Sequence, residues 1–289
     1  MLFQRKTIDI GILMLYNINI GILISIQIII LKKGDIVIYI TGDCHGNYTK
    51  FSTDVFPEQK KMTKDDFVIV CGDFGLWHDT KTERWWFNWL NEKPFTVLFV
   101  GGNHENYDRI YSDEFPIVDF HGGKAQKIRK NVYHLMRGEI YELCGKKFFC
   151  FGGASSHDIK DGILDRKKFV DDTSFLKEIR KWDRYNKQFR INHFSWWKEE
   201  LPSQEEMDYG IENLKKHKNK VDFIVTHCAP QNIAAYLSCG AYKPDILTNY
   251  FDKINETVEF KKWFFGHYHA DENVLDKHVL LYNQIIRIN

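Results

Sequence analysis

Five short clusters of carboxylate, imidazole and carboxamide side chains punctuate this chain: Asp43-x-His45, Gly72-Asp73, Gly102-Asn103-His104-Glu105, His227, and Gly266-His267-x-His269. Oxygen and imidazole donors in this mixture suit Mn, Fe, Zn or similar divalent ions. Asp43 and His45, with one residue between them, can converge on one such ion. An isolated Asp-x-His triplet is common by chance, and the ordinary reading of any single histidine is a hydrogen-bonded loop residue. That reading is kept for His121, His134, His157, His193, His217 and His278. The five clusters taken jointly read as one site.

Each cluster follows an apolar run that reads as a strand. Ile36 to Ile40 is apolar on both faces, as a central strand covered on both sides requires, and Gly42 and Gly46 let the backbone turn at its end. Phe67 to Cys71 and Phe95 to Val100 repeat the pattern, and Val221 to Val225 and Trp263 to Phe265 restore it late in the chain. Thr80 to Glu83 has the form of a capping box, followed by Trp85, Trp86, Trp89 and Leu90 as a core-facing helical stripe that Pro94 stops. Strands alternating with helices, with polar residues at the strand ends, place a site at the edge of an α/β sheet. Val132–Leu135, Glu139–Leu143 and Lys147–Phe151 read as a meander, which predicts a mostly antiparallel second sheet. Residues 155–200 are irregular, charged and aromatic, an expected insertion covering the site. Ser203-x-x-Glu206 starts a further helix to about His217, and Val279 to Ile288 reads as closing strands around Asn283-Gln284.

The chain has 289 residues, with 40 Lys and Arg against 39 Asp and Glu. This balance gives no basic footprint for stable nucleic-acid binding, although nucleic acid is not excluded as a substrate. The six cysteines show no CxxC and no framework spacing, which fits buried thiols in a reducing cytoplasm. Residues 1–34 stand apart from an expected single domain over 35–289. Ile8 to Leu31 is long enough for a membrane helix, yet Asp9, Asn17, Asn19 and Gln27 interrupt it. Membrane association is expected only through residues 8–31. The other reading is translated leader, with a start codon at Val37 preceded by a purine-rich stretch encoding Lys32 to Asp35.

From Ile36 to the C-terminus the ordered clusters resemble the calcineurin-like metallophosphoesterase superfamily. The resemblance implies a four-layer αββα sandwich, two mixed sheets with helices outside, and a dinuclear metal centre at the carboxyl ends of the strands. It implies that Asp43, His45 and His269 hold one metal, that Asn103, His227 and His267 hold the other, and that Asp73 bridges both. Two divalent ions about 3.5–4 Å apart would activate a shared water that attacks phosphorus in line. His104, not needed as a ligand, is left to face the leaving-group oxygen as a general acid or charge stabiliser.

The sequence also departs from the protein Ser/Thr phosphatase and dinucleoside-tetraphosphatase branches. Where those carry an Asp and an Arg after the second motif and an Arg before the third, this chain has Leu76-Trp77 and Val100-Gly101. The carboxylate that would orient His104 is therefore missing, with Asp79 or a backbone carbonyl as candidates. So are the arginines that would grip a phosphomonoester dianion. The expected activity is hydrolysis of a phosphodiester or of a small phosphorylated compound. The alternatives are a phosphoesterase-like interaction scaffold, which would usually have lost ligands, a protein phosphatase, and a nuclease subunit of a larger machine.

Overall fold

A computed structural model describes residues 36–288. The leader and membrane expectations for residues 1–34 fall outside them. Among the described residues, no helix is long and apolar enough to cross a membrane.

The first sheet uses β1 (Ile38–Thr41), β2 (Phe67–Val70), β3 (Thr96–Phe99), β4 (Ile117–Phe120), β5 (Gly123–Arg129) and β6 (Val132–Leu135). The second uses β7 (Glu139–Leu143) and β8 (Lys146–Phe151). A parallel pair, β9 (Gly162–Leu164) and β10 (Phe189–Ile191), lies between these and the remaining strands. β11 (Phe223–Thr226), β12 (Lys262–Phe265), β13 (Glu272–Val274) and β14 (His278–Leu280) complete the second sheet, and β15 (Ile285–Ile288) returns to the first. The orders are β15-β1-β2-β3-β6-β5-β4 and β13-β14-β12-β11-β8-β7. β1, β2, β3 and β6 are parallel neighbours, as are β8, β11, β12 and β14, while the outer pairings are antiparallel.

Alternation within the short strands explains the layers. In the first sheet Tyr39, Val68, Val70, Val97 and Phe99 pack with Phe87 and Leu90 of α1 (Lys81–Asn91). Ile38, Ile40, Ile69 and Leu98, of opposite parity, are buried as well, because the second sheet covers that face. Direct links join the sheets: the Tyr141 hydroxyl donates to the Lys124 carbonyl at 2.5 Å, and the Glu142 amide to the His121 carbonyl at 2.7 Å. After a single helical turn, α2 (Tyr107–Ile110), and α3 (Asp172–Arg184), the second sheet's outer face is covered by α4 (Gln204–Lys216), α5 (Gln231–Leu237) and α6 (Ile246–Thr257). The result is the four-layer αββα sandwich.

Several expectations need correction. The second sheet is mixed and mostly parallel, because Val132–Leu135 joins β3 in the first sheet and β8 pairs parallel with β11. Short alternating runs specify a strand but not its partner. Residues 279–288 do supply closing strands on either side of Asn283-Gln284, but β14 and β15 belong to different sheets. The Asp271 carboxylate accepts the Tyr282, Asn283 and Gln284 amides where the chain crosses between them. Trp85 is 57% exposed, and Phe87 takes its expected place in the core. Thr80 caps α1 by accepting the Glu83 amide at 3.1 Å, and Ser203 and Glu206 form the full reciprocal box of α4. The stretch 155–200 is more regular than expected. It contains α3, capped by Asp171 and Ser174, whose Phe175, Leu176, Ile179 and Trp182 recur at helical spacing although the helix buries no side chain fully, a pattern the expectation of an irregular stretch passed over.

Candidate metal centre

Neighbouring strand ends from both sheets meet at one edge of the sandwich. Asp43 and His45 follow β1, Asp73 follows β2, and Asn103 and His104 follow β3; His227 follows β11, and His267 and His269 follow β12. Such close approach of two sheets requires the absence of side chains at particular points. A Cβ on Gly72, whose φ is +94°, would lie 2.2 Å from His227 Nδ1, and one on Gly266 would lie 2.0 Å from Asp43 Oδ1. The tight turns also push site residues into the left-handed region: φ is 47° at His45, 44° at Asp73, 69° at His267 and 51° at His269. Non-glycine residues adopt that region at a cost of order 1–3 kcal/mol each and cluster where geometry is functional.

The donor atoms gather around two points. At the first, His45 Nε2 and His269 Nε2 lie 3.0 Å apart, and Asp43 Oδ2 is 3.2 Å from His269 Nε2 and 3.7 Å from His45 Nε2. At the second, His227 Nε2 is 3.2 Å from Asn103 Oδ1 and 3.3 Å from Asp73 Oδ1. The His227 Nδ1–H donates to the Cys71 carbonyl at 2.7 Å, which leaves Nε2 free to face inward. Asp73 lies between the two points, since its Oδ2 is 3.7 Å from His45 Nε2. The His267 ring lies 4.9 Å from that of His227, and its amide donates to Asp43 Oδ1 at 3.0 Å.

The electrostatics call for positive charge at both points. Burial alone would raise the Asp73 carboxyl, but the His227, His104 and His45 imidazoles hold it well below the usual carboxylate range. Burial likewise opposes charge on His227, yet Asp73 and Asp43 outweigh it and push its pKa up to about 10. Burial and the neighbouring His227 hold His267 well below its ordinary value. Two imidazole nitrogens converging with two buried carboxylates form a donor set that divalent cations satisfy better than the side chains satisfy one another. Asp43, His45 and His269, and separately Asp43, Asp73 and His227, each bring their ligating atoms within 4.8 Å of one another.

His104 projects beside this cluster, its ring 5.4 Å from His45 and 5.8 Å from Trp77, and its amide donates to Asp73 Oδ1 at 2.8 Å. Burial lowers its pKa against the opposing pull of Asp73. Asp79 is paired instead with Arg84 at 2.5 Å, and Leu76 is a buried core residue. The charges acting on the His104 ring from further along the chain are Arg190 and Asp158, themselves an ion pair.

Sequence reasoning missed several supporting residues. Buried Glu105 accepts the Gly75 amide at 2.9 Å and the Gly102 amide, tying two site loops together, and burial pushes its carboxyl up to about 8. Lys50 donates to the Asp43 carbonyl at 2.7 Å and the Tyr282 carbonyl at 2.5 Å, and the Tyr282 ring stacks on His269 at 4.6 Å. His157, read as an ordinary loop residue, lies with its ring 4.4 Å from His267. Elsewhere in residues 155–200, Phe194 stacks on His78 at 4.8 Å and Trp197 donates to Asp108 at 2.8 Å. Of these residues only Glu105 lay within a visible cluster; the rest carried no local signal.

The family description "calcineurin-like phosphoesterase" matches residues 36–271. Among curated proteins, the chain is similar to lariat debranching enzyme A of Xenopus laevis, 27% identical over 153 residues, covering 47% of this chain and 27% of that protein. It is also similar to the human lariat debranching enzyme, 21% identical over 271 residues, covering 83% of this chain and 43% of that protein. The Schizosaccharomyces pombe lariat debranching enzyme is 28% identical over 139 residues, covering 43% and 27% respectively. The matches thus span less than half the length of each of these relatives.

Proposed function

The chain belongs to the calcineurin-like phosphoesterase family, and on that premise we propose that it is a metal-dependent hydrolase of phosphodiesters. The observation that carries this reading is the position of Asp73, whose two oxygens face His227 at 3.3 Å and His45 at 3.7 Å. Asp43, His45 and His269 would hold one divalent ion, Asn103, His227 and His267 the other, with Asp73 available to both. Bound there, such ions would supply Lewis acidity toward phosphoryl oxygens and would acidify a water as nucleophile.

The chain's own residues supply orientation and proton handling. Lys50 and Glu105 fix the loops that carry Asp43, Asp73 and Asn103, so the ligand geometry is held before substrate arrives. His104 stands beside the cluster with its amide fixed on Asp73, leaving its ring to meet the leaving-group oxygen. Its lowered pKa makes the imidazolium a stronger acid, while the neutral ring retains one N–H to donate. Two features favour a diester. The arginines expected of a monoesterase at Trp77 and Gly101 are absent, and the relatives are named for lariat debranching, which cleaves a phosphodiester.

Metal analysis combined with a paired assay tests the reading. The purified protein is expected to bind Mn, Fe or Zn and to hydrolyse bis-p-nitrophenyl phosphate faster than p-nitrophenyl phosphate. Failure to bind a divalent ion, or hydrolysis of neither ester with metal bound, would refute it.

A further inference from the structure

Asn103 is the one carboxamide among the assigned ligands, and a carboxamide has a wrong way round. Its Oδ1 can coordinate a cation; its Nδ2 cannot. Something must therefore hold the amide with oxygen inward, and a buried chain of hydrogen bonds from residues 155–200 does so. Asn103 Nδ2 donates to Ser156 Oγ at 3.4 Å, and the Ser156 hydroxyl donates to Glu200 Oε2 at 2.7 Å. The Ser156 amide donates to Glu200 Oε1 at 2.9 Å. Asn103, Ser156 and Glu200 are each buried, so water does not compete at any link.

The direction of each bond follows from the carboxylate. Burial pushes the Glu200 carboxyl up to about 7, against the two Ser156 donors that favour its charged form, and above that pH the ionised Glu200 only accepts, so both Ser156 protons point toward it. The Ser156 oxygen then presents a lone pair to Asn103, which must answer with Nδ2 and turn Oδ1 toward His227. Glu200 is itself pinned, because its carbonyl accepts Arg137 Nη2 at 3.0 Å, and a Cβ on Gly153 would come within 2.4 Å of that carbonyl.

We propose that Glu200, acting through Ser156, is a positioning residue that sets the polarity of the Asn103 carboxamide and so completes the second of the two metal positions, the one at His227. This rests on the reading of Asn103 Oδ1 as a ligand. It assigns the segment before α4 a part in building the metal centre as well as packing beside it.

Glu200→Gln tests the polarity directly. The new amide can donate to Ser156 Oγ, whose own proton then turns toward Asn103, favouring the flipped carboxamide with nitrogen inward. Calorimetric titration of metal-free protein with Mn(II), without substrate, is expected to show two sites in the wild type. In Glu200→Gln one site should weaken by roughly 10–100-fold, the scale found for lost outer partners of metal ligands, with the other unchanged. Ser156→Ala, which frees the amide without inverting it, should weaken the same site less, and Ser156→Thr, which keeps the hydroxyl, should restore it. Unchanged affinity in both Glu200→Gln and Ser156→Ala would overturn the relay while leaving the phosphoesterase reading intact. Equal weakening of both sites, with a matching fall in the Tm of metal-free protein, would reduce Glu200 to a packing role and overturn it as well. A wild type that binds no second ion would remove the ligand reading on which the relay depends.

Discussion

The two proposed ion positions use similar chemistry but are supported very differently. His227 at the inner position has no exposed side-chain surface, and its ring is fixed at Nδ1 by the Cys71 carbonyl. His45 and His269 at the outer position have side chains 32% and 50% exposed. The outer pair leans on the buried Asp43 carboxylate and, on its open side, on the half-buried Tyr282 ring. Burial raises the cost of leaving a donor unmatched, so the inner position should hold its ion tightly and the outer one should exchange it. Asp73 couples the two.

The largest effect is expected where the two halves meet. Asp73→Asn removes the shared carboxylate, so metal content by elemental analysis and hydrolysis of bis-p-nitrophenyl phosphate should both fall to background. Retention of one ion with near-normal turnover would break the comparison at its centre.

Substitutions within each half should then differ. His227→Ala is expected to lose the inner ion at any practical metal concentration. It should also cost the metal-free protein about 1–3 kcal/mol, the range for a buried polar partner left unmatched, here the Cys71 carbonyl. His269→Ala should leave stability nearly unchanged and regain activity as Mn(II) is raised. Denaturant titration and metal-dependent kinetics measure both, and identical behaviour of the two variants would erase the distinction.

His104 belongs to neither half. His104→Ala should keep both ions yet lose about 10²-fold in turnover, the usual scale for a general acid. The loss should be larger for alkyl esters than for nitrophenyl esters, because an alkoxide needs a proton and nitrophenolate hardly does. Equal losses for good and poor leaving groups would point to charge stabilisation or positioning instead.

The smallest effect concerns pH. Burial raises Glu105 to about 8, and Asp73 and Asp43 outweigh burial to raise His227 to about 10. Between pH 6.5 and 8 the folded metal-free protein therefore keeps protons that the unfolded chain has released. Its stability should fall as pH rises across that window, by up to about 1.4 kcal/mol per pH unit for each linked proton. Saturating metal should flatten the His227 part, since an ion replaces the proton. Thermal melts of chelator-treated and metal-loaded protein at the two pH values provide the check.

Much of this was legible in the chain because strand ends concentrate information. Apolar runs such as Phe67–Val70 announce a covered strand, and the glycine and carboxylate after them announce a turn with chemistry in it. Pairing was less legible, since a four-residue run such as Val132–Leu135 fits either sheet and long-range contacts decide. The supporting residues were least legible. Lys50, Ser156 and Glu200 act through hydrogen bonds that reach partners far along the chain, which leave no period, spacing or composition to read. The left-handed backbone at His45 and Asp73 was equally silent, because neither residue type demands it.

The central claim is that one carboxylate joins an exposed and a buried ion position into a single centre. Electron paramagnetic resonance of the Mn(II)-loaded protein tests it most directly, because two ions about 3.5–4 Å apart across a shared carboxylate are magnetically coupled. The expected result is two Mn(II) per chain with an exchange-coupled multiline spectrum that Asp73→Asn abolishes. A six-line spectrum of isolated Mn(II) at full loading, unchanged by Asp73→Asn, would contradict it.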